Sequence, residues 1–227
     1  MKRRRALLAV VVMVVTGLGS CNPSRNIYTS PAFQAAARHH QTIAILPFDV
    51  QVGLRPVQMR RLTPEQLYGL ELRHGRAVQS AFQVHFLKKI NKNAEKVAVQ
   101  DVNVTNSILK EHDIQPEEIQ SYPPTQLAQM LGVDAVLVGS LTTNKPVSTA
   151  VAVAMTVYTF LYMPYVSGAG PTNTGNTFLK IYDGASGDLL WSYDNVLSRG
   201  LGSDTHHIVR AITRKAARQL PYAKNKR

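Results

Sequence analysis

The chain has a single cysteine among its 227 residues, at position 21. An intrachain disulfide is therefore excluded, as is any zinc site built on paired cysteines. No H-E-x-x-H, G-x-S-x-G or P-loop pattern occurs, so the spacings that zinc peptidases, serine hydrolases and nucleotide-binding loops require are missing. The glycine-rich GAGPTNTG at 168–175 lacks both the Lys-Ser/Thr ending and a following helix. Histidines come as adjacent pairs, His39-His40 and His206-His207, and neighbours on a helix point in different directions, which makes poor chelators. These gaps predict a protein that is not an enzyme, with no metal and no cofactor. Carboxylates are also scarce, 14 against 26 Lys and Arg, for a formal charge of +12.

The amino terminus holds the most specific signal. KRRR at 2–5 precedes the apolar ALLAVVVMVVT at 6–16, then GLGS and Cys21. That order is a basic n-region, an apolar core and a small-residue cleavage region. The apolar run falls short of the ~20 residues a spanning helix needs. Leu18, Gly19 and Ser20 before Cys21 form a lipobox, in which the cysteine thiol takes a diacylglycerol, the signal is removed and the new amino terminus is acylated. One acyl chain holds a protein only marginally, while two or more anchor it stably. Cys21 is thus predicted to be a lipidation site tying the chain to a membrane. Asn22-Pro23 after it is not the Asp signal for inner-membrane retention, so the expected location is the outer membrane, facing the periplasm.

Removing residues 1–20 also removes Lys2, Arg3, Arg4 and Arg5 and leaves a charge of about +8. A basic balance often marks nucleic-acid binding. Export argues against it and leaves head groups, wall polymers or acidic proteins as anionic partners. The densest basic group, Arg210, Arg214, Lys215, Arg218, Lys224, Lys226 and Arg227, reads as a solvated helix face and tail.

Residues 21–41 lack a clear period and read as a lipidated tether, with room for a short helix through AFQAAARHH. Beyond them, 42–223 read as one α/β domain with an uncharged insertion at 146–175. TIAILPFDV (42–50) is a buried strand with an irregular end at Pro47. A long amphipathic helix over 63–90 opens on Thr63 as N-cap with Pro64 and Glu65 behind it, and Gly69 and Gly75 weaken it. A strand over 96–102 and a short helix over 105–112 follow. Pro124–Leu131 is a helix closed by Gly132, and 133–144 is a strand buried on both faces. Residues 176–196 form a hairpin whose turn is flanked by Asp183 and Asp188, with Trp191 in the core. A helix over 204–220, capped by Asp204 and ended by Pro221, completes the chain. The order predicts a mixed sheet of about five strands with helices packed on it.

No charged residue lies between Lys145 and Lys180. Val151, Val153, Met155, Val157 and Leu161 alternate with smaller residues and then with aromatics such as Phe160. That period of two suggests a strand, although Ala-rich spacing also permits a helix, and both remain open. The stretch reads as a buried element, as an apolar surface for self-association, or as a membrane-inserting hairpin.

TIAILPF, LGVDAVLVGSL, LKIYDGASGDLLW and ITRKAARQLP, in that order across 42–221, resemble the bacterial lipoproteins grouped around the curli secretion-channel protein and the N-terminal domain of TolB. Within that group the chain looks most similar to neisserial-antigen-type outer-membrane lipoproteins. The resemblance implies an α/β sandwich, oligomeric or accessory roles in secretion or envelope assembly, and no catalytic residues. The expected function is a non-enzymatic, outer-membrane-anchored scaffold or subunit that binds envelope proteins and forms a homo-oligomer. The alternative is an oligomeric pore component using 145–180.

Overall fold

A computed structural model describes residues 25–54, 56–93, 97–144, 173–199, 211 and 213–223. The signal, Cys21, and the segment containing Val151, Val153, Met155, Val157, Phe160 and Leu161 lie outside the described residues.

The α/β class holds. The strands are β1 (Arg25–Thr29), β2 (Thr42–Ile45), β3 (Asp49–Gly53), β4 (Ala98–Val99), β5 (Ala135–Asn144), β6 (Asn173–Asp183) and β7 (Leu189–Arg199). They form one mixed sheet in the order β1-β7-β6-β5-β2-β4, with β3 also paired to β5. β2, β3 and β4 join in parallel, while β5-β6-β7-β1 is antiparallel. Two strands exceed the expectation of about five for identifiable reasons. The 42–50 strand breaks in two, and residues 25–29, read from sequence as tether, pair with β7 as an added edge.

The break at Leu46-Pro47-Phe48 sets the geometry of the sheet. Ile45 lies opposite Leu137 and Asp49 opposite Ser140, so four steps on one side match three on the other. One extra residue is a bulge, and it reverses which parity faces inward. Ile43 and Ile45 point into the same core as Phe48, Val50 and Val52. Pro47 has no N–H to lose from a ladder, so it is tolerated there.

The helices are α1 (Phe33–Ala37), α2 (Pro56–Met59), α3 (Pro64–Asn93), α4 (Val102–Glu111), α5 (Pro124–Leu131) and a C-terminal α6, described at 211 and 213–217. α3 starts as the sequence suggests. Thr63 and Gln66 form a reciprocal capping box, with Gln66 N–H donating to Thr63 Oγ1 (3.3 Å) and Thr63 N–H to Gln66 Oε1 (3.0 Å). Val78, Phe82 and Phe86 are buried. At ~1.5–3 kcal/mol each, their burial outweighs the cost of ~1 kcal/mol per glycine, and the helix runs unbroken through Gly69 and Gly75. Asp101 caps α4 by accepting from Asn103 N–H (2.8 Å), which cuts the expected 96–102 strand down to Ala98–Val99. α5 matches its sequence reading, with Pro124 at its start and Gly132 closing it at φ 65°. At the end of α6, Pro221 opens a 3-10 turn that buries Tyr222. Asp204 lies outside the described residues.

One face of the sheet packs against α3, α1 and α6 around Phe82, Phe86, Trp191 and Leu220. The other packs against α4 and α5 around Leu46, Leu109, Leu127 and Val136. Phe48 joins these parts. Its ring lies over Gly139 of β5, where a Cβ would come within 2.5 Å of Phe48 Cε1, and its carbonyl oxygen lies over Gly75 of α3. Two glycines in one helix therefore carry opposite expectations. Gly75→Ala and Gly139→Ala should each cost about 1–3 kcal/mol by overpacking. Gly69→Ala, whose new Cβ meets only Arg73 Nη1 at 3.6 Å, should gain about 0.5–1 kcal/mol. Urea unfolding of the three variants checks this, and equal signs for Gly69 and Gly75 would contradict the packing.

Candidate functional site

Cys21, the expected lipidation residue, lies outside the described residues. Arg25, four residues after Cys21, begins β1 opposite Asn195 of β7, and Thr29 lies opposite Trp191.

At the other end of the sheet a polar cluster forms that no local pattern announces. Asp134 precedes β5, Asp183 ends β6 and Asp188 precedes β7. Asp134 Oδ2 accepts from the N–H groups of Gln41 and Thr42 (both 2.8 Å), aligning β2 with β5. Asp183 is a turn residue as expected, its Oδ2 accepting from Ala185 N–H (3.1 Å) and Ser186 N–H (2.7 Å). Its Oδ1 also bonds His40 Nε2 at 2.8 Å, and His40 Nδ1 bonds the Tyr222 hydroxyl at 2.5 Å. An ionised carboxylate only accepts, so Nε2–H donates to Asp183, and in the neutral ring Nδ1 accepts from Tyr222 O–H. The three residues come from the loop before β2, the hairpin turn and the chain end. They are 143 and 182 residues apart in sequence, which is why adjacent histidines and a turn aspartate gave no hint of the contact.

Burial raises the Asp183 carboxyl pKa, but bonds from His40 and Ser186 outweigh that and hold it below its ordinary value. His40 and Tyr222 are 6% and 3% exposed, and a shallow depression of about 280 Å³ is lined by His40, Asp134 and Asp183. Chemically, the arrangement is suited to clasping both ends of the chain onto the hairpin. Among the described residues no group of three or more His, Cys, Asp or Glu is placed to hold a metal ion, and no helix is long and apolar enough to cross a membrane.

A depression of about 420 Å³ lies on the sheet face beside α5. Tyr122 and Leu127 form one wall, and Val138, Phe178, Lys180 and Tyr182 form the floor. Beyond it the face is partly exposed. Tyr28 lies beside Ser192, which lies beside Lys180, and Phe178 lies beside Asp194. Tyr28, Phe178 and Val196 are 48%, 44% and 41% exposed.

Because the folded-state pKa of Asp183 is lowered, its contribution to stability is complete above the ordinary value of about 4. It is lost as pH falls through the lowered folded value. Asp183→Asn should therefore cost about 1–3 kcal/mol near neutrality, and the gap to the parent should close below about pH 4. Tyr222→Phe should cost about 1 kcal/mol. Urea midpoints measured from pH 6 down to 2.5 test both, and a gap that does not change with pH would rule out an ionised Asp183 in the clasp.

No protein-family model matches the chain, and no curated protein matches it in sequence. Several solved structures share its outline. A variant of PelC, a dodecamer from Paraburkholderia phytofirmans, is 11% identical with a TM-score of 0.45, covering 90% of this chain and 100% of its own. Lipoprotein GNA1162 from Neisseria meningitidis is 15% identical with a TM-score of 0.43, covering 78% of this chain and 96% of its own. The LpoB C-terminal domain from Salmonella enterica is 10% identical with a TM-score of 0.33, covering 74% and 94%. At these values the likeness is one of general outline, with no residue-by-residue correspondence.

Proposed function

We propose that this chain is a lipoprotein held at the outer membrane by lipid on Cys21. There it works without catalysis, as a scaffold or subunit of an envelope assembly. The observation that carries this reading is the order KRRR, apolar core, Leu18-Gly19-Ser20, Cys21, followed within four residues by a strand of the folded domain. A triacyl cysteine anchors firmly without a spanning helix. The exposed Tyr28, Phe178 and Val196 on β1, β6 and β7 supply an association surface. In the pore alternative, 145–180 would line a channel. Its last part, Asn173–Lys180, is already committed to β6 and paired on both sides, which leaves less chain for a membrane hairpin.

Intact mass and detergent sizing test this reading. The mature chain should begin at Cys21, carry acyl mass and run as an oligomer in mild detergent. Cys21→Ser should stay folded and leave the membrane fraction, and Phe178→Asp should lower the assembly state without unfolding the domain. Membrane retention of Cys21→Ser would instead indicate an uncleaved signal anchor.

A further inference from the structure

We infer that β1 is the docking edge for a second copy of this chain, the two β1 strands pairing antiparallel about a two-fold axis at Ile27. This deepens the self-association proposed above by naming the contact that makes it.

Among the described residues the sheet ends at β1, at β4 and along β3. β4 is only Ala98–Val99, too short to template another strand. Along β3 the Val52 N–H is already taken by the Glu71 carboxylate at 2.9 Å. β1 carries neither safeguard. It runs over Arg25–Thr29 without a proline, and among the described residues it pairs with β7 alone. The register tells which of its backbone groups are free. Ser30 N–H donates to the Leu190 carbonyl at 2.8 Å. Bonding alternates along an antiparallel ladder, so Asn26 and Tyr28 bond β7, while the N–H and C=O groups of Arg25, Ile27 and Thr29 point away from it. Ile27 and Tyr28 lie on opposite faces of the sheet and are 42% and 48% exposed, and Asn26 and Thr29 are exposed as well.

An unpaired row of donors and acceptors is a template for another strand, and RNIYT fits itself. With Ile27 opposite Ile27 of the partner subunit, Arg25 falls opposite the partner's Thr29, and Asn26 opposite the partner's Tyr28. The groups that point outward are then the ones that meet, and each such pair exchanges both N–H···O bonds. Arg25 is the only charged residue of the strand. This pairing keeps its two copies apart, whereas a parallel alignment in register would set them side by side at a cost. Because the other edges are short or capped, the contact is isologous and closes on a dimer instead of running on as a fibre. So short a strand buries less than the ~800 Å² per partner of a standard interface, and the pairing is therefore reversible and depends on concentration.

The test uses the full chain in mild detergent, with sedimentation followed over a range of concentrations and circular dichroism as the check on folding. Ile27→Lys and Ile27→Glu should each weaken dimerisation several-fold, because like charges then lie opposite one another. Mixed, the two variants should dimerise again, since each lysine meets a glutamate. Both substitutions sit at an exposed edge position and should leave the circular dichroism unchanged. Oxidative cross-linking, compared with the parent chain, reads the register. Ile27→Cys should link to itself, its two Cα atoms lying about 5.5 Å apart. Thr29→Cys should not, its two copies lying more than ~13 Å apart. A mixture that associates no better than either variant alone would overturn the inference, as would Thr29→Cys linking as readily as Ile27→Cys. Ile27→Cys linking in cells to a different envelope protein, with no dimer, would overturn it too and assign the edge to a foreign strand. The two levels separate cleanly. Association that survives both charged variants removes this edge alone, while a parent chain that stays monomeric at every concentration removes this edge and the proposed self-association together.

Discussion

The structure depends on the extra residue at Leu46-Pro47-Phe48. Without it, Val50 and Val52 would point away from the core that Ile43 and Ile45 enter, because a strand alternates strictly. With it, β2 and β3 share one partner strand, and the Phe48 ring crosses the gap to Gly139. The same bulge brings the Phe48 carbonyl against Gly75. α3 is thereby set antiparallel along β3 and β2, with Glu71 beside Val52 and Gln79 Nε2 on the Ile45 carbonyl at 2.7 Å. A substitution at any of three distant positions would disturb one shared contact.

The two ends of the sheet that this frame separates have different chemistry. One end is tied by carboxylates: Asp134 holds the start of β2, and Asp183 holds His40 and, through it, Tyr222. Such a chain of buried polar groups is stabilising only when every member is satisfied. Its members come from opposite ends of the sequence, so it also closes the fold. The other end holds the exposed Val57 and Met59, followed by Arg60 and Arg61.

Between the ends, the second face of the sheet is covered unevenly. α4 and α5 protect β2 and the first half of β5, and the hairpin and β1 extend beyond them. The exposed residues there alternate with buried ones along β6: Phe178 and Lys180 face outward, Leu179 and Ile181 inward. This alternation was legible in LKIYDGASGDLLW as a hairpin, although whether a second layer would cover its outer face was not.

The amino-acid sequence by itself determined the features that depend on neighbours along the chain. These are the cap at Thr63, the helix from Pro124 to Gly132, the hairpin, and the class of the fold through its periodicities. Capping and alternation act over three or four residues, so they can be read without a fold. Only the tertiary structure decided the rest. It turned supposed tether residues 25–29 into an edge strand, because β7 offered an unpaired ladder. It showed why Gly75 lies in a helix interior, because Phe48 arrives from 27 positions away in the chain. It joined His40, Asp183 and Tyr222, whose contact follows from strand order and carries no local signature. Interactions between residues far apart in sequence depend on the path of the backbone, and that path is set by the packing of the whole core.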